Sequence, residues 1–368
     1  MINVLHIINY LGNGGSERYI YSLAKKLHNK SCRFYIAFSD EGKGGDMFRE
    51  LGIDLIRLKM KNPLDIKAAW EIKKLCRKYS IDVLHTHFLR ENYISVLSRL
   101  LGNKAKIINT RHMLFENTGG VIFFNRLFTK FNDKIIAVSG NVRDRLLMEG
   151  IAPDKVKLIY TGVDPEEWNT TAASSIRKEF GLPEDVMVIT SVARFTEEKG
   201  HDFLIDVIAC FKDLIEKGPR FGTIKFKFIL AGDGVLLGTV KEKAKSKGLE
   251  NDIIFTGYRR DIKNIMKGSD IFIAHSREEA LGISILEAMA AGLPVITTDS
   301  GGAGEIVNDR FNDGYLVGYG DTEGFAECLA KLAGDEEIRE TFINNGLKVI
   351  QEYFNLEKMA EETYNLYA

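Results

Sequence analysis

Short apolar runs alternating with longer amphipathic stretches constrain this chain more than any single motif. In the first half the runs are "VLHII", "FYIAF", "DVLHTH", "KIINT" and "KIIAVS". The pattern restarts after about residue 185 with "VMVITSVA", "FKFILAG", "DIIFTG", "DIFIAH" and "PVITTD". β-rich runs separated by helical patterns predict parallel sheets covered by helices on both faces. A chain of 368 residues exceeds what one core usually serves. The expectation is therefore α/β, with two successive Rossmann-like domains. The break falls near "YTGVDPEEWNT", whose Gly, Asp and Pro residues suit a linker, giving domains 1–165 and 166–351.

Ligands of open α/β sheets bind beyond the carboxyl ends of strands, so the residues after each run carry the functional argument. "IINYLGNGGSERYIYSLAKKL" presents such a place at once, with glycines after the first run and a helical pattern beyond them. Gly12 and Gly14 fit the first two glycines of a dinucleotide fingerprint, and Asp40 after the second run is a tempting ribose partner. The third glycine position, however, holds Glu17, whose bulk and charge oppose a pyrophosphate there. Glu17 suits the first turn of a helix better, and a nicotinamide cofactor is not expected.

The densest chemistry lies in "SREEALGISILEAMAAGLPVITTDSGGAGEIV", residues 276–307. Glu279 follows the run "DIFIAH", and Glu287 lies eight positions later on a predicted helix. Gly282, Ile283 and Ser284 form the turn into that helix, where backbone N–H groups make a seat for an anion. In "SVARFTEEKG", Arg194 ends a strand run and Lys199 stands five residues on. A guanidinium fork and a point charge together suit a departing diphosphate.

These elements strongly resemble the retaining nucleotide-sugar glycosyltransferases of family 4, which have the GT-B architecture. "EALGISILE" matches that family's E-x7-E element, "ARFTEEKG" its Arg…Lys-Gly element, and "GGAGEIV" its downstream turn. "GNGGSER" matches its N-terminal glycine loop, and "YTGVDPEEW" its interdomain linker. The resemblance implies two Rossmann-like domains with parallel sheets facing across a cleft, and a final segment, 352–368, crossing back to the first domain. It implies that Glu287 binds the ribose hydroxyls of the donor nucleotide and Glu279 the hydroxyls of the donor sugar. Arg194 and Lys199 would hold the diphosphate with the amides of Gly282 and Ile283. Gly14 and Gly15 would let backbone approach the phosphates. His112, after the run "KIINT", matches a histidine placed against the donor sugar, and His87 lies near the acceptor. His112, Glu279, Arg194 and Lys199 are thus the expected catalytic set.

"DVLHTHF" puts His85 and His87 on the same side of a strand end. Zinc would need further ligands, and nearby sequence offers none, so no metal site is expected. No D-x-D occurs in the chain, which agrees with phosphate neutralisation by Arg194, Lys199 and helix amides. Beyond the sugar nucleotide as donor substrate, no cofactor is expected.

Charge is unevenly spread. Residues 1–165 carry 27 Lys and Arg against 16 Asp and Glu, a balance of +11, and the remainder carries 23 against 35, a balance of −12. A basic first half favours an anionic acceptor or membrane surface. Nucleic acid is not expected, because no basic-aromatic recognition motif accompanies the charge. "GGVIFFNRLFTKF", residues 119–131, reads either as a helix with a wide buried face or as an amphipathic helix on a membrane, and the buried helix is the expectation. No run is long enough to span a bilayer, and no signal peptide or C-x-x-C is evident. The expected location is cytoplasmic, with peripheral contact at the inner membrane face and reduced thiols.

The function these readings support is transfer of a hexosyl or N-acetylhexosaminyl unit from a nucleoside diphosphate, UDP by expectation, to an acceptor hydroxyl. The acceptor would be a cell-surface glycan or lipid-linked sugar. A sugar-nucleotide epimerase of the same architecture and a non-catalytic sugar-nucleotide-binding protein are the alternatives.

Overall fold

Val4 to Ile8 are all fully buried, as a strand covered by helices on both faces requires. In the computed structural model, which describes residues 1–12, 14–114, 117–168, 174–218 and 224–368, they lie in the first strand of a parallel sheet. Asn13 of the glycine loop and Asn169 and Thr170 of the linker stretch lie outside the described residues. The chain divides into two units, Met1–Gly162 with Asn355–Ala368, and Val163–Phe354.

The first unit holds β1 (Ile2–Leu11), β2 (Cys32–Glu41), β3 (Asp54–Arg57), β4 (Val83–Thr86), β5 (Lys106–Arg111), β6 (Lys134–Ala137) and β7 (Val156–Leu158). They pair in the order β3-β2-β1-β4-β5-β6-β7, every pair parallel. The pleat sends alternate residues to opposite faces. Val4 and Ile8 of β1 join a core with Tyr19, Leu23, Leu356 and Met359, whereas Leu5 and Ile7 join another with Ile72, Leu84 and Ile94.

The second unit holds β8 (Val186–Val192), β9 (Lys225–Ala231), β10 (Ile253–Gly257), β11 (Ile271–Ala274), β12 (Val295–Asp299) and β13 (Gly314–Gly318). Their order is β10-β9-β8-β11-β12-β13, again all parallel. The helices His201–Lys217 and Thr322–Gly334 supply Ile208, Phe211, Phe325 and Leu329 to a core with Ile189, Phe228 and Leu230. The α/β expectation of two parallel-sheet domains holds. All four cysteines are free thiols, and among the described residues no helix is long and apolar enough to cross a membrane.

The 119–131 stretch corrects one expectation. It forms the helix Gly119–Thr129, yet only Asn125, Phe128 and Thr129 of it are buried. Phe123 is 64% exposed, Phe124 44% and Leu127 43%, and Phe131 just beyond is 37% exposed. The inward stripe is anchored by a polar group instead of an aliphatic one. Asn125 Oδ1 accepts from the Tyr93 hydroxyl at 3.0 Å and from Arg111 Nη2 at 3.1 Å. Phe128 packs on Tyr93 with ring centroids 4.5 Å apart. Seated by Asn125 and Phe128, the helix turns its other aromatic residues outward.

The helix Leu356–Tyr367 belongs to the first unit, where it packs on the helix Gly15–Leu27. Asn355 caps it, Oδ1 accepting from the amides of Glu357 at 2.7 Å and Lys358 at 3.2 Å. Its far end is fixed by the buried Tyr367 hydroxyl, 2.5 Å from His85 Nδ1. His85 Nε2 bonds the Thr110 hydroxyl at 2.7 Å, so both His85 nitrogens are structural. Replacing Tyr367 by Phe strands a buried nitrogen, at a cost of about 1–3 kcal/mol. A lower urea midpoint with an unchanged slope is the expected result.

Candidate functional site

Strand order in the second unit reverses between β8 and β11, which opens a crevice at their carboxyl ends. The segment after β8 carries Arg194, then a short 3-10 turn Glu197–Lys199. The segment after β11 carries Ser276 and Glu279. Lys199 Nζ lies 2.5 Å from Glu279 Oε2, and the Ser276 hydroxyl donates to the same oxygen at 3.2 Å. The two charged side chains are 18% and 19% exposed, so the pair is largely but not wholly withdrawn from water. Backbone bonds hold the Glu279 segment to the end of β12. Glu279 N–H donates to Ser300 O at 2.7 Å, and Gly302 N–H donates to Glu279 O at 2.9 Å.

Arg194 is joined to the same constellation through Glu198, whose Oε1 accepts from Arg194 Nη2 at 3.1 Å and from the Thr196 hydroxyl at 2.7 Å. Its side chain is 61% exposed, leaving the guanidinium open to an anion. Gly282 caps the eight-residue helix Ile283–Ala290 with φ +104°, a conformation side chains resist. A Cβ there would also meet Ile285 Cδ1 at 2.8 Å. The helix's leading amides have no carbonyl a turn earlier to bond. Glu287 stands in its second turn, 6% exposed. Sequence reading missed Ser276 and Glu198, which hold the charged groups in place. It also missed His275, which bonds the Ser191 hydroxyl at 2.9 Å and whose pKa burial pushes down to about 4.

The first unit reverses its order between β1 and β4. After β1, Glu17 turns back into the glycine loop. Its Oε1 accepts from Gly12 N–H at 2.8 Å, and its Oε2 from Gly14 N–H at 3.1 Å and the Ser16 hydroxyl at 2.9 Å. Glu17 is 5% exposed, so the amides of Gly12 and Gly14 serve the fold. Gly15 opens the helix and is exposed.

His87 is buried and His112 half-buried, and His87 Nδ1 lies 3.0 Å from His112 Nε2. On the other side His87 Nε2 lies 3.0 Å from Nδ1 of His6. The sequence reading overlooked His6, although a signal was present. "VLH" occurs in both β1 and β4, and the strands pair with His6 opposite His85. The nitrogens of His6, His85 and His87 lie within 4.8 Å of one another, a grouping zinc could accept. Here hydrogen bonds occupy both nitrogens of His85 and of His87. Arg111, next to His112 in sequence, is buried against Asn125, and burial lowers its pKa to about 10.

Two family descriptions match the chain in succession: Glycosyltransferase Family 4 over residues 13–167 and Glycosyl transferases group 1 over 173–349. The chain belongs to the family 4 glycosyltransferases. This glycosyltransferase is 24% identical to the N-acetyl-alpha-D-glucosaminyl L-malate synthase of Bacillus anthracis, over 87% of this chain and 83% of that one. It is 26% identical to the UDP-Gal:alpha-D-GlcNAc-diphosphoundecaprenol alpha-1,3-galactosyltransferase of Escherichia coli, over 82% and 79%. HepE of Anabaena, solved in complex with UDP and glucose, shares the fold with a TM-score of 0.86 at 19% identity, covering 99% of each chain.

In this glycosyltransferase Lys199 and Glu279 form a partly desolvated pair, so truncating either strands the other. A double-mutant cycle with Lys199→Met and Glu279→Gln, read by urea denaturation, is expected to give a coupling of about 0.5–3 kcal/mol.

Proposed function

We propose that this protein is a retaining, metal-independent glycosyltransferase that moves a hexosyl or N-acetylhexosaminyl unit from a UDP-sugar to an acceptor hydroxyl, in synthesis of a cell-surface glycan or glycolipid. The observation that carries the proposal is the Lys199–Glu279 pair beside Arg194 and a glycine-capped helix. A diphosphate arriving there offers Lys199 a stronger partner than one carboxylate. Lys199 turns to the phosphates, and Glu279 is released to accept from hydroxyls of the sugar. Arg194 and the amides of Gly282 and Ile283 share the remaining negative charge, which grows on the leaving phosphate as the glycosidic bond breaks. Glu287 accepts from the ribose hydroxyls. With two cations and helix amides at the diphosphate, charge neutralisation needs no divalent ion. Turnover that persists in excess EDTA supports this part.

The second unit binds the donor in this reading, and the first binds the acceptor, with His112 at a sugar oxygen. A UDP-linked donor and a diphosphoundecaprenol-linked acceptor both appear in the name of the E. coli relative, which supports the donor and acceptor classes chosen. Glu287→Ala is expected to weaken UDP binding by about 1.5–3 kcal/mol, the scale of a hydrogen bond to a charged group. Unchanged affinity by calorimetry removes Glu287 from the nucleotide. New glycosidic product, and not an interconverted sugar nucleotide, separates the transferase from an epimerase.

The outward face of the Gly119–Thr129 helix supports peripheral contact with an anionic membrane surface. Phe123, Phe124 and Leu127 stand exposed beside Arg126 and Lys130, an apolar patch with basic neighbours on the more basic half of the chain. Each buried large apolar side chain contributes about 1.5–3 kcal/mol. A Phe123→Ser, Leu127→Ser double variant is therefore expected to lose cosedimentation with phosphatidylglycerol vesicles while keeping UDP affinity. Equal vesicle binding by variant and parent refutes the contact.

A further inference from the structure

Three imidazoles of the first unit are joined end to end. His6 Nδ1 lies 3.0 Å from His87 Nε2, and His87 Nδ1 lies 3.0 Å from His112 Nε2. Ring centroids are 5.3 Å apart in both pairs, with interplanar angles of 17° and 25°. Centroids so much farther apart than the nitrogens require those nitrogens to lie between the ring centres. Each bond therefore runs edge to edge, nearly in the ring planes. Burial holds all three rings neutral, pushing the pKa of His6 and of His112 down to about 3 and that of His87 well below its ordinary value.

A neutral imidazole has one N–H donor and one bare nitrogen acceptor. His87 uses both nitrogens on other imidazoles, so it receives at one and gives at the other. Only two arrangements satisfy the chain. In the first, His6 Nδ1–H gives to His87, His87 Nδ1–H gives to His112 Nε2, and His112 carries its proton on Nδ1. In the second every bond reverses, His6 carries its proton on Nε2, and His112 Nδ1 is bare. His6 Nε2 is buried with no hydrogen-bond partner among the described residues. The second arrangement would put a stranded N–H there, and orphaned buried N–H groups are the rarer defect. The first arrangement is favoured.

We propose that this chain fixes His112 as its Nδ1–H tautomer, a hydrogen-bond donor to a sugar hydroxyl oxygen of the substrate, with His6 and His87 as positioning residues that act through it. The proposal rests on the reading of His112 as a substrate contact. A hydroxyl that accepts from His112 keeps its own proton for a carboxylate or another acceptor, so the tautomer sets the direction of bonding around the sugar. It also gives His87 a role that its burial permits.

Long-range proton–nitrogen spectra of the full chain with ¹⁵N-labelled histidine report which ring nitrogen is protonated. The wild-type protein is expected to show His112 protonated at Nδ1, unchanged from pH 6 to 8. His6→Met puts at the place of His6 Nδ1 a thioether sulfur, which can accept from His87 Nε2–H but has no proton to give. In it His112 is expected to switch to Nε2–H, and kcat/KM for the sugar nucleotide to fall about tenfold. His6→Asn places an amide N–H near the lost Nδ1 and is expected to restore both tautomer and turnover. Wild-type His112 protonated at Nε2 overturns the chain whether or not His6→Met folds, as does a tautomer indifferent to His6→Met. Wild-type turnover in His112→Phe overturns instead the substrate reading beneath the proposal.

Discussion

Parallel strands can be joined only by crossovers, and where strand order reverses, the two crossovers leave on opposite faces of the sheet. This constraint places nearly every polar group of interest. β1 has β2 on one side and β4 on the other, and β8 has β9 and β11. The carboxyl ends parted by these reversals carry the glycine loop and His87 in one unit, and Arg194 and Glu279 in the other. A backbone rule thus chooses the location, and side chains then decide which ligand it suits.

Register adds a second layer. His6 pairs opposite His85, and the two-residue pleat returns His87 to the same face. Three imidazoles must therefore share one buried space. Each buried polar atom left unbonded costs about 1–3 kcal/mol, so the cluster is stable only if its members bond one another or their surroundings. Tyr367 and Thr110 satisfy His85, while His6 and His112 satisfy His87. The C-terminal helix is drawn into this accounting through Tyr367, which links its position to the polar centre of the sheet.

The central strands were legible because burial on both faces leaves unbroken apolar runs, and all ten quoted runs form strands. β3, β7 and β13 escaped notice. They are edge strands of three to five residues, with one neighbour each and a weaker demand for apolar sequence. The 119–131 helix was legible as a helix but not in its orientation, since an asparagine bonded to Tyr93 and Arg111 selects the inward face. Motif spacing singled out Arg194, Lys199, Glu279 and Glu287 as candidates. It could not show that Lys199 and Glu279 meet, because a contact between residues 80 apart in sequence depends on two loops brought together by β8 and β11.

Two acidic residues, Glu17 and Glu279, show why similar glycine-rich turns suit different tasks. Glu17 is bonded to the amides of its own loop, so a phosphate seeking those amides must displace a buried carboxylate or lie beside it. Two like charges about 4 Å apart repel by about 4 kcal/mol at the effective dielectric of a protein surface. Glu279 is bonded to the side chain of Lys199, which can rotate to a phosphate and leave the carboxylate for a neutral hydroxyl. The first arrangement resists an anion, while the second exchanges one anionic partner of Lys199 for another and leaves the Glu279 carboxylate to hydroxyl donors, Ser276 among them. Phosphate recognition is therefore expected to centre on Lys199 and the helix at Gly282, with the loop at Gly12 and Gly14 holding the end of β1 in place.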